Sequence, residues 1–356
     1  MFSNKDLRKL IIPLVIEQLL AVTIGMADTV MVSSCGEAAV SGISLVDSIN
    51  FLLITLFSSL ATGGAVIASQ YIGRGDHKSA SLAAKQLFYA SLALSAVLGI
   101  IAVFFRKPVL NMVFGSIEAD VMAHAQIYFL LSAISYPFLA VYNAGAALFR
   151  SMGDSRTTML ISILMNTINI VGNAILIYGF QMAAAGAATA SLVSRAVGAI
   201  IITVLLLNPH RIIFYDKLHK PEIHLSMLKS ILQIGVPNGL ENSIFQIGKI
   251  LVASIVSGFG TISITANAVA GNLASLQVIP GMALGMAMIT VVGQCIGAKD
   301  YEAVKKYTKK LMLITYGVVW AMTLLMLLFS KQILSFYSLS ELSLIHISEP
   351  TRLRCI

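Results

Sequence analysis

Charge is what this sequence has least of. Only 11% of its 356 residues are Asp, Glu, Lys or Arg, while 57% are hydrophobic. Soluble domains carry about 25% charged residues, so a water-soluble globular enzyme is excluded. Cysteine is also scarce. Cys35, Cys295 and Cys355 make no CxxC pair and no disulfide framework. The histidines lack metal-ligand spacing, and His219 and His224 share a polar stretch that reads as solvated. No DxxxD or DDxxD string is present. A membrane-embedded transferase would need such acids to hold a metal, so it survives only as a distant alternative.

What is present is long apolar sequence, with a mean hydropathy of +0.87. Ser48 to Ile72, Gln86 to Phe105, Ala125 to Phe149, Thr157 to Ser194, Ile250 to Ala298 and Leu311 to Ser330 contain no charged residue. A helix crossing hydrocarbon needs about 20 residues, and the two longest runs hold more than one crossing. The chain reads as an all-α polytopic membrane protein. Its first apolar segment is too long and too acidic for a cleavable signal peptide.

Gly, Pro, Asn and charge clusters divide the apolar material into nine helices, over 8–33, 46–72, 86–106, 122–149, 158–179, 185–207, 228–257, 265–296 and 311–331. The net charge of +8 does not point to nucleic acid, because the basic residues sit at the ends of apolar spans. Alternate loops receive 17 Lys and Arg on one side and only Arg106, Lys107 and Lys331 on the other. The positive-inside rule then places the N-terminus in the cytoplasm, and the chain in the plasma (inner) membrane.

Sliding the chain by 224 positions brings Pro13 onto Pro237, Glu17 onto Glu241, Gly36 onto Gly260, and Gln70, Ile72, Gly73 and Asp76 onto Gln294, Ile296, Gly297 and Asp300. Six helices precede the second copy, so both copies enter the membrane in the same direction. This is a parallel duplication of the kind that builds transporters. It divides the chain into a six-helix lobe at 1–208, a cytoplasmic linker at 209–227 and three helices of a second lobe at 228–341. Residues 342–352 resemble a translated sequencing adapter, so 342–356 reads as a non-native tail and three further helices are expected in its place.

Ionisable groups inside apolar spans mark functional pathways by default. Glu17 and Asp28 lie eleven residues apart on one face of the first helix, about 16 Å apart along its axis. Pro13 precedes Glu17 by one turn and is expected to bend the helix and free backbone groups into a water-lined cavity. Glu241 and Lys249 in the seventh helix are cavity candidates. Arg195 in the sixth is expected to pair with phosphate, carbonyls or an acid. Asn166, Asn169 and Asn173, at i, i+3 and i+7, form one amide stripe that either glues helices together or completes a hydrogen-bonded site around an acid. Met282, Met286 and Met288 offer an adaptable pocket wall or ordinary packing.

Five segments taken in order resemble the multidrug and toxin extrusion (MATE) transporters. They are Ile12-Pro13 through Met26-Ala-Asp28 to Val32, Gln70 to Asp76, Phe149 to Asp154, Asn169 to Asn173, and Gly186 through Ser191 to Arg195. The resemblance covers residues 5 to about 338. It implies twelve helices in two lobes around a central cavity, and export of organic, often cationic, compounds driven by inward Na⁺ or H⁺. It implies no cofactor beyond that coupling ion, and no obligate protein partner is expected. Asp28 matches the family's helix-1 coupling acid, Pro13 its bending proline, Asn169 and Asn173 an Asn and an acid of helix 5, and Ser191 a hydroxyl position of helix 6. Asn173 departs from the acid of many members, which removes one carboxylate from the first lobe. Glu241 lies nearer its proline than the family's helix-7 acid. A lipid-linked saccharide flippase of the same superfamily is the alternative, for which a more basic cavity is expected.

Overall fold

The structure is a computed structural model that describes residues 2–329, except 115–117, 217, 219–221 and 258–260. Inside the helices, the side chains of residues 24–30, 33, 37, 250, 253–254, 256–257, 261–266, 268–270 and 272–273 also lie outside the description. The tail at 342–356 and His219 are therefore not described.

The described residues form ten α-helices and one π turn, with no strand among them. They are α1 Asn4–Ser33, α2 Glu37–Gly73, α3 His77–Phe104, α4 Arg106–Phe114, α5 Ala119–Ser151, α6 Ser155–Asn173, the π turn Ala174–Gly179, α7 Ala183–Leu206, α8 Leu225–Ser257, α9 Thr261–Gly297 and α10 Tyr301–Leu328. Seven of the spans are long and apolar enough to cross a membrane. All nine expected helices are present, and several details are corrected; among them, the third starts at His77 rather than 86 and the last at Tyr301 rather than 311. Arg106 and Lys107 begin a short helix, α4, where a loop was expected. The second helix starts at Glu37, nine residues before the expected 46. The fifth does not stay α-helical to 179 but widens into the π turn at Ala174. That wider turn brings Ile177 into an apolar cluster with Val32, Ile43, Ala184 and Ala187, a contact that regular α spacing does not secure.

Local sequence explains where the helices stop and start. Ser3 and Asp6 form a reciprocal cap on α1, with Asp6 N donating to Ser3 Oγ at 3.2 Å and Ser3 N to Asp6 Oδ2 at 2.9 Å. One turn design then recurs three times. A left-handed residue (Gly75, φ 75°; Gly153, φ 83°; Lys299, φ 58°) is followed by an aspartate cap. Asp76, Asp154 and Asp300 accept from the backbone N–H of Ser79, Thr157 and Ala303 at 3.0, 3.1 and 2.9 Å. Their own N–H groups reach back to the carbonyls of Tyr71, Phe149 and Cys295 at 3.0, 3.0 and 3.1 Å, closing the preceding helix. The cap bonds hold the Asp76 carboxyl below the usual carboxylate range.

The element bounds repeat with the offset read from the landmarks. Adding 224 to α2 and α3 reproduces the limits of α9 and α10. The two copies meet reciprocally. A Cβ on Gly73 would overlap the Gln294 carbonyl oxygen, and one on Gly297 would overlap that of Gln70. Only glycine lets the backbones cross so closely. On one side of this crossing Leu7, Leu10 and Leu14 of α1 pack on Ala283, Leu284, Ala287 and Val291 of α9. On the other, Gly63 of α2 lies against Ile231 and Gly235 of α8. These contacts join the N-terminal half of α1 and the C-terminal half of α2 to the matching halves of α8 and α9. Toward the opposite end Ile244, Phe245, Ile247, Val278 and Met282 are exposed.

Candidate functional site

The amide stripe of α6 faces α7. Asn169 Nδ2 donates to Ser191 Oγ at 3.0 Å, and Asn173 Nδ2 donates to Asn169 Oδ1 at 3.4 Å. Both asparagines are buried, and the π turn begins one residue after Asn173. A single π turn inside a helix recurs at functional sites, because the wider turn re-aims side chains. The structure thus brings together Asn169, Asn173 and Ser191 of the expected set. Asn166 turns along its own helix to Ser162 Oγ at 3.3 Å. Asp28 lies within α1, which packs along α6, but its side chain is outside the described residues.

Glu17 lies in a separate, buried polar knot. Its Oε1 pairs with Arg150 Nη1 at 3.3 Å, and its Oε2 accepts from Thr158 Oγ1 at 3.0 Å. Arg150 ends α5 and Thr158 opens α6, so the knot ties α1 to both. Its far side touches the second copy. Thr290 Oγ1 donates to the Arg150 carbonyl at 2.9 Å, and Gln294 Nε2 to that of Ser151 at 2.7 Å. Pro13 is handled in the same region. A proline has no N–H, so the carbonyl four residues earlier, on Lys9, loses its helical donor. The Ser155 hydroxyl lies 3.2 Å from that oxygen and 2.7 Å from the Leu10 carbonyl. Helix α1 runs on through Pro13. The freed carbonyl is met by a buried serine, while Lys9 and Pro13 themselves line a cavity with Asn4, Ile12 and Gly153.

The candidates of the second copy are dispersed. Glu241 and Lys249 are exposed and form no ion pair among the described residues; the Lys249 ammonium lies 5.1 Å from the Phe245 ring centre. Met282 is half exposed, whereas Met286 accepts from Gln18 Nε2 at 3.8 Å and packs with Met288 on the α1–α9 seam. Pro237 is exposed within α8, next to the close approach at Gly235. Arg195 donates to Ser135 Oγ at 2.6 Å, and the acid within its electrostatic reach is Asp47.

One acid escaped the sequence reading. Asp47 precedes the charge-free run from Ser48, so it passed for the membrane-surface end of a helix starting at 46. Because α2 begins at Glu37, Asp47 lies ten residues inside it, about 15 Å along the axis. Its Oδ1 accepts from Tyr128 Oη at 3.0 Å and Asn50 Nδ2 at 3.2 Å. Part of the signal was available: the amide of Asn50 stands three residues after Asp47 in the same apolar helix.

The sequence profile of the family described as MatE matches residues 13–175 and again 237–350. The two matches start 224 residues apart. An uncharacterized transporter, YisQ of Bacillus subtilis (strain 168), is 28% identical over 341 residues, covering 92% of this chain and 72% of the relative. A probable multidrug resistance protein NorM of Thermotoga maritima is 29% identical over 310 residues, covering 85% of this chain and 65% of the relative. The chain therefore spans roughly two thirds to three quarters of the length of these relatives. Among solved structures, the outward-facing conformation of a multidrug resistance MATE family transporter of the MOP superfamily superposes with a TM-score of 0.90 at 22% identity, over 98% of this chain and 77% of that one.

Proposed function

Since this chain belongs to the multidrug and toxin extrusion (MATE) family of multi-pass membrane transporters, we propose that it exports organic, cationic compounds in exchange for Na⁺ or H⁺. The buried Asn173–Asn169–Ser191 chain carries this reading. It is a buried run of hydrogen-bonding groups held beside α1, as a site that accepts a small cation requires. The proposal assigns the coupling charge to Asp28 of α1, the helix that packs along α6. A carboxylate there is costly to bury with its charge, so a proton or Na⁺ that neutralises it is bound in preference to leaving it bare. Residues 1–208 act as one lobe, 209–227 as the cytoplasmic linker and 228–341 as part of the second lobe. The N-terminus faces the cytoplasm, in the inner membrane. The seam at Gly73 and Gly297 then closes the cytoplasmic side, and the exposed ends of α8 and α9 line a cleft open outward. Cation entry and substrate exit are coupled because each favours a different arrangement of the lobes.

The test replaces Asp28 with Asn, which keeps shape and removes titratable charge. Asp28→Asn is expected to abolish dye efflux driven by a Na⁺ or H⁺ gradient in proteoliposomes, with the protein still inserted. Undiminished uphill efflux would remove Asp28 from the mechanism. Retention of a polyprenyl phosphate in preference to a cationic dye would favour the flippase reading instead.

A further inference from the structure

Asp47 stands apart from the Asn169–Ser191 chain and from the Glu17–Arg150 knot. It lies on the same face of α2 as Val40 and Ile43, seven and four residues away, which pack with Val32, Ile177, Ala184 and Ala187. That face looks into the first lobe, between α1, α5 and α7, yet Asp47 itself is exposed. Its carboxylate is thus accessible on a helix face that otherwise packs against its neighbours.

Its surroundings are ordered. Asn50 is 4% exposed, accepts from Tyr136 Oη at 2.7 Å and donates to Ser132 Oγ at 3.4 Å as well as to Asp47. Tyr128 packs its ring between two apolar clusters and turns its hydroxyl to Asp47. Arg195, on α7, is held by Ser135 and attracts the Asp47 carboxylate from a distance without a direct ion pair. Both hydrogen bonds to Asp47 converge on Oδ1, while Oδ2 has no partner among the described residues. The carboxylate is thus fixed by one oxygen and presents the other.

We propose that Asp47 is a cation-binding residue of this transporter, whose free oxygen receives the ammonium group of an organic substrate while Tyr128 and Asn50 hold the carboxylate in place. A bare metal ion suits the position poorly. Tyr128 and Asn50 spend donors on Oδ1, and the Asn50 carbonyl is occupied by Tyr136. Hard cations want several oxygen ligands, and those are not offered here. An ammonium on an apolar body needs one strong acceptor beside an apolar wall, and the ring of Tyr128 with its clusters supplies that wall. This inference rests on the export of organic cations proposed above, and it adds a second carboxylate to a lobe whose Asn173 is not an acid.

The test is a fluorescence titration of the detergent-purified protein with dansylcadaverine, an apolar body ending in an ammonium, and with its uncharged N-acetyl derivative. Asp47→Asn keeps the oxygen that Tyr128 and Asn50 address and removes only the charge. It is expected to weaken dansylcadaverine binding at least tenfold and to leave the N-acetyl derivative unchanged, with Asp47→Glu restoring binding to within a few-fold. Equal dansylcadaverine affinity in Asp47→Asn and the parent protein would overturn the site. So would equal losses for both dyes, the mark of a merely structural residue. Carbodiimide labelling of the unmutated protein needs no variant to fold. Asp47 should be modified, and the N,N,N-trimethyl derivative of dansylcadaverine, a cation with no amine to couple, should protect it; modification that this dye does not slow would count against the site. The efflux result for Asp28→Asn is independent of this titration, so failure at Asp47 and failure of the exporter reading are separable.

Discussion

At the scale of single residues, the decisive polar groups are those whose partners lie far away in sequence. Glu17 and Arg150 are 133 positions apart, and their side chains are 11% and 17% exposed. Removing one member of a buried pair leaves the other charged and unmatched, at a cost of about 3 kcal/mol. Arg150→Met is therefore expected to destabilise the protein by that order, followed by thermal unfolding in detergent. Adding Glu17→Gln to Arg150→Met should recover part of the loss, because the stranded charge is gone. Losses that merely add would show that the two side chains are not coupled. An acid in an apolar helix could be picked out from sequence, and both Glu17 and Asp28 were. Which acid would be paired was not legible, since the Arg150 guanidinium reaches Glu17 only once α5 and α6 have packed on α1.

At the scale of elements, helix limits follow from short-range chemistry that sequence displays openly. The three turns ending in Asp76, Asp154 and Asp300 share one geometry, but the second copy uses Lys299 where the others use Gly75 and Gly153. A side chain in the left-handed region costs about 1–2 kcal/mol, and glycine does not incur it. Lys299→Gly is expected to stabilise the α9–α10 turn by about 1 kcal/mol, after the greater freedom of glycine in the unfolded chain is allowed for. Gly75→Lys should destabilise the α2–α3 turn by a similar amount. Apparent Tm values should thus move in opposite directions; a fall in Lys299→Gly would remove backbone strain as the difference between the copies. The π turn was not legible in the same way. Its reason is the placement of Ile177 against helices α1, α2 and α7, which local periodicity does not encode.

At the scale of the whole molecule, the two copies meet through glycines and small side chains rather than through charge. Gly73 and Gly297 each sit where a Cβ would strike the other copy's backbone. The clustering of Lys and Arg at this end motivates a topology test, made after Cys35, Cys295 and Cys355 are replaced. Lys78→Cys, exposed beside the α2–α3 turn, is expected to resist an impermeant thiol reagent in intact cells. Gln181→Cys, exposed at the opposite end before α7, is expected to react. Reversed labelling would invert the orientation and make the seam at Gly73 an outer closure instead.

The sequence by itself determined that the chain crosses a membrane as helices, where most of those helices begin and end, and that one unit recurs after 224 residues. Each of these depends on interactions within a few turns of chain, or between a residue and its solvent: the cost of exposing polar backbone to hydrocarbon, the aspartate caps and the left-handed turn residues. Tertiary structure alone decided what the internal polar groups do. The Ser155 hydroxyl covers the carbonyl that Pro13 leaves open, Arg150 neutralises Glu17, and Tyr128 and Asn50 hold Asp47 by one oxygen. In a medium without water each such group must find a partner within the protein. Except for Asn50, one turn from Asp47, that partner is chosen by which helices pack together, and residues so far apart in sequence carry no local mark of it.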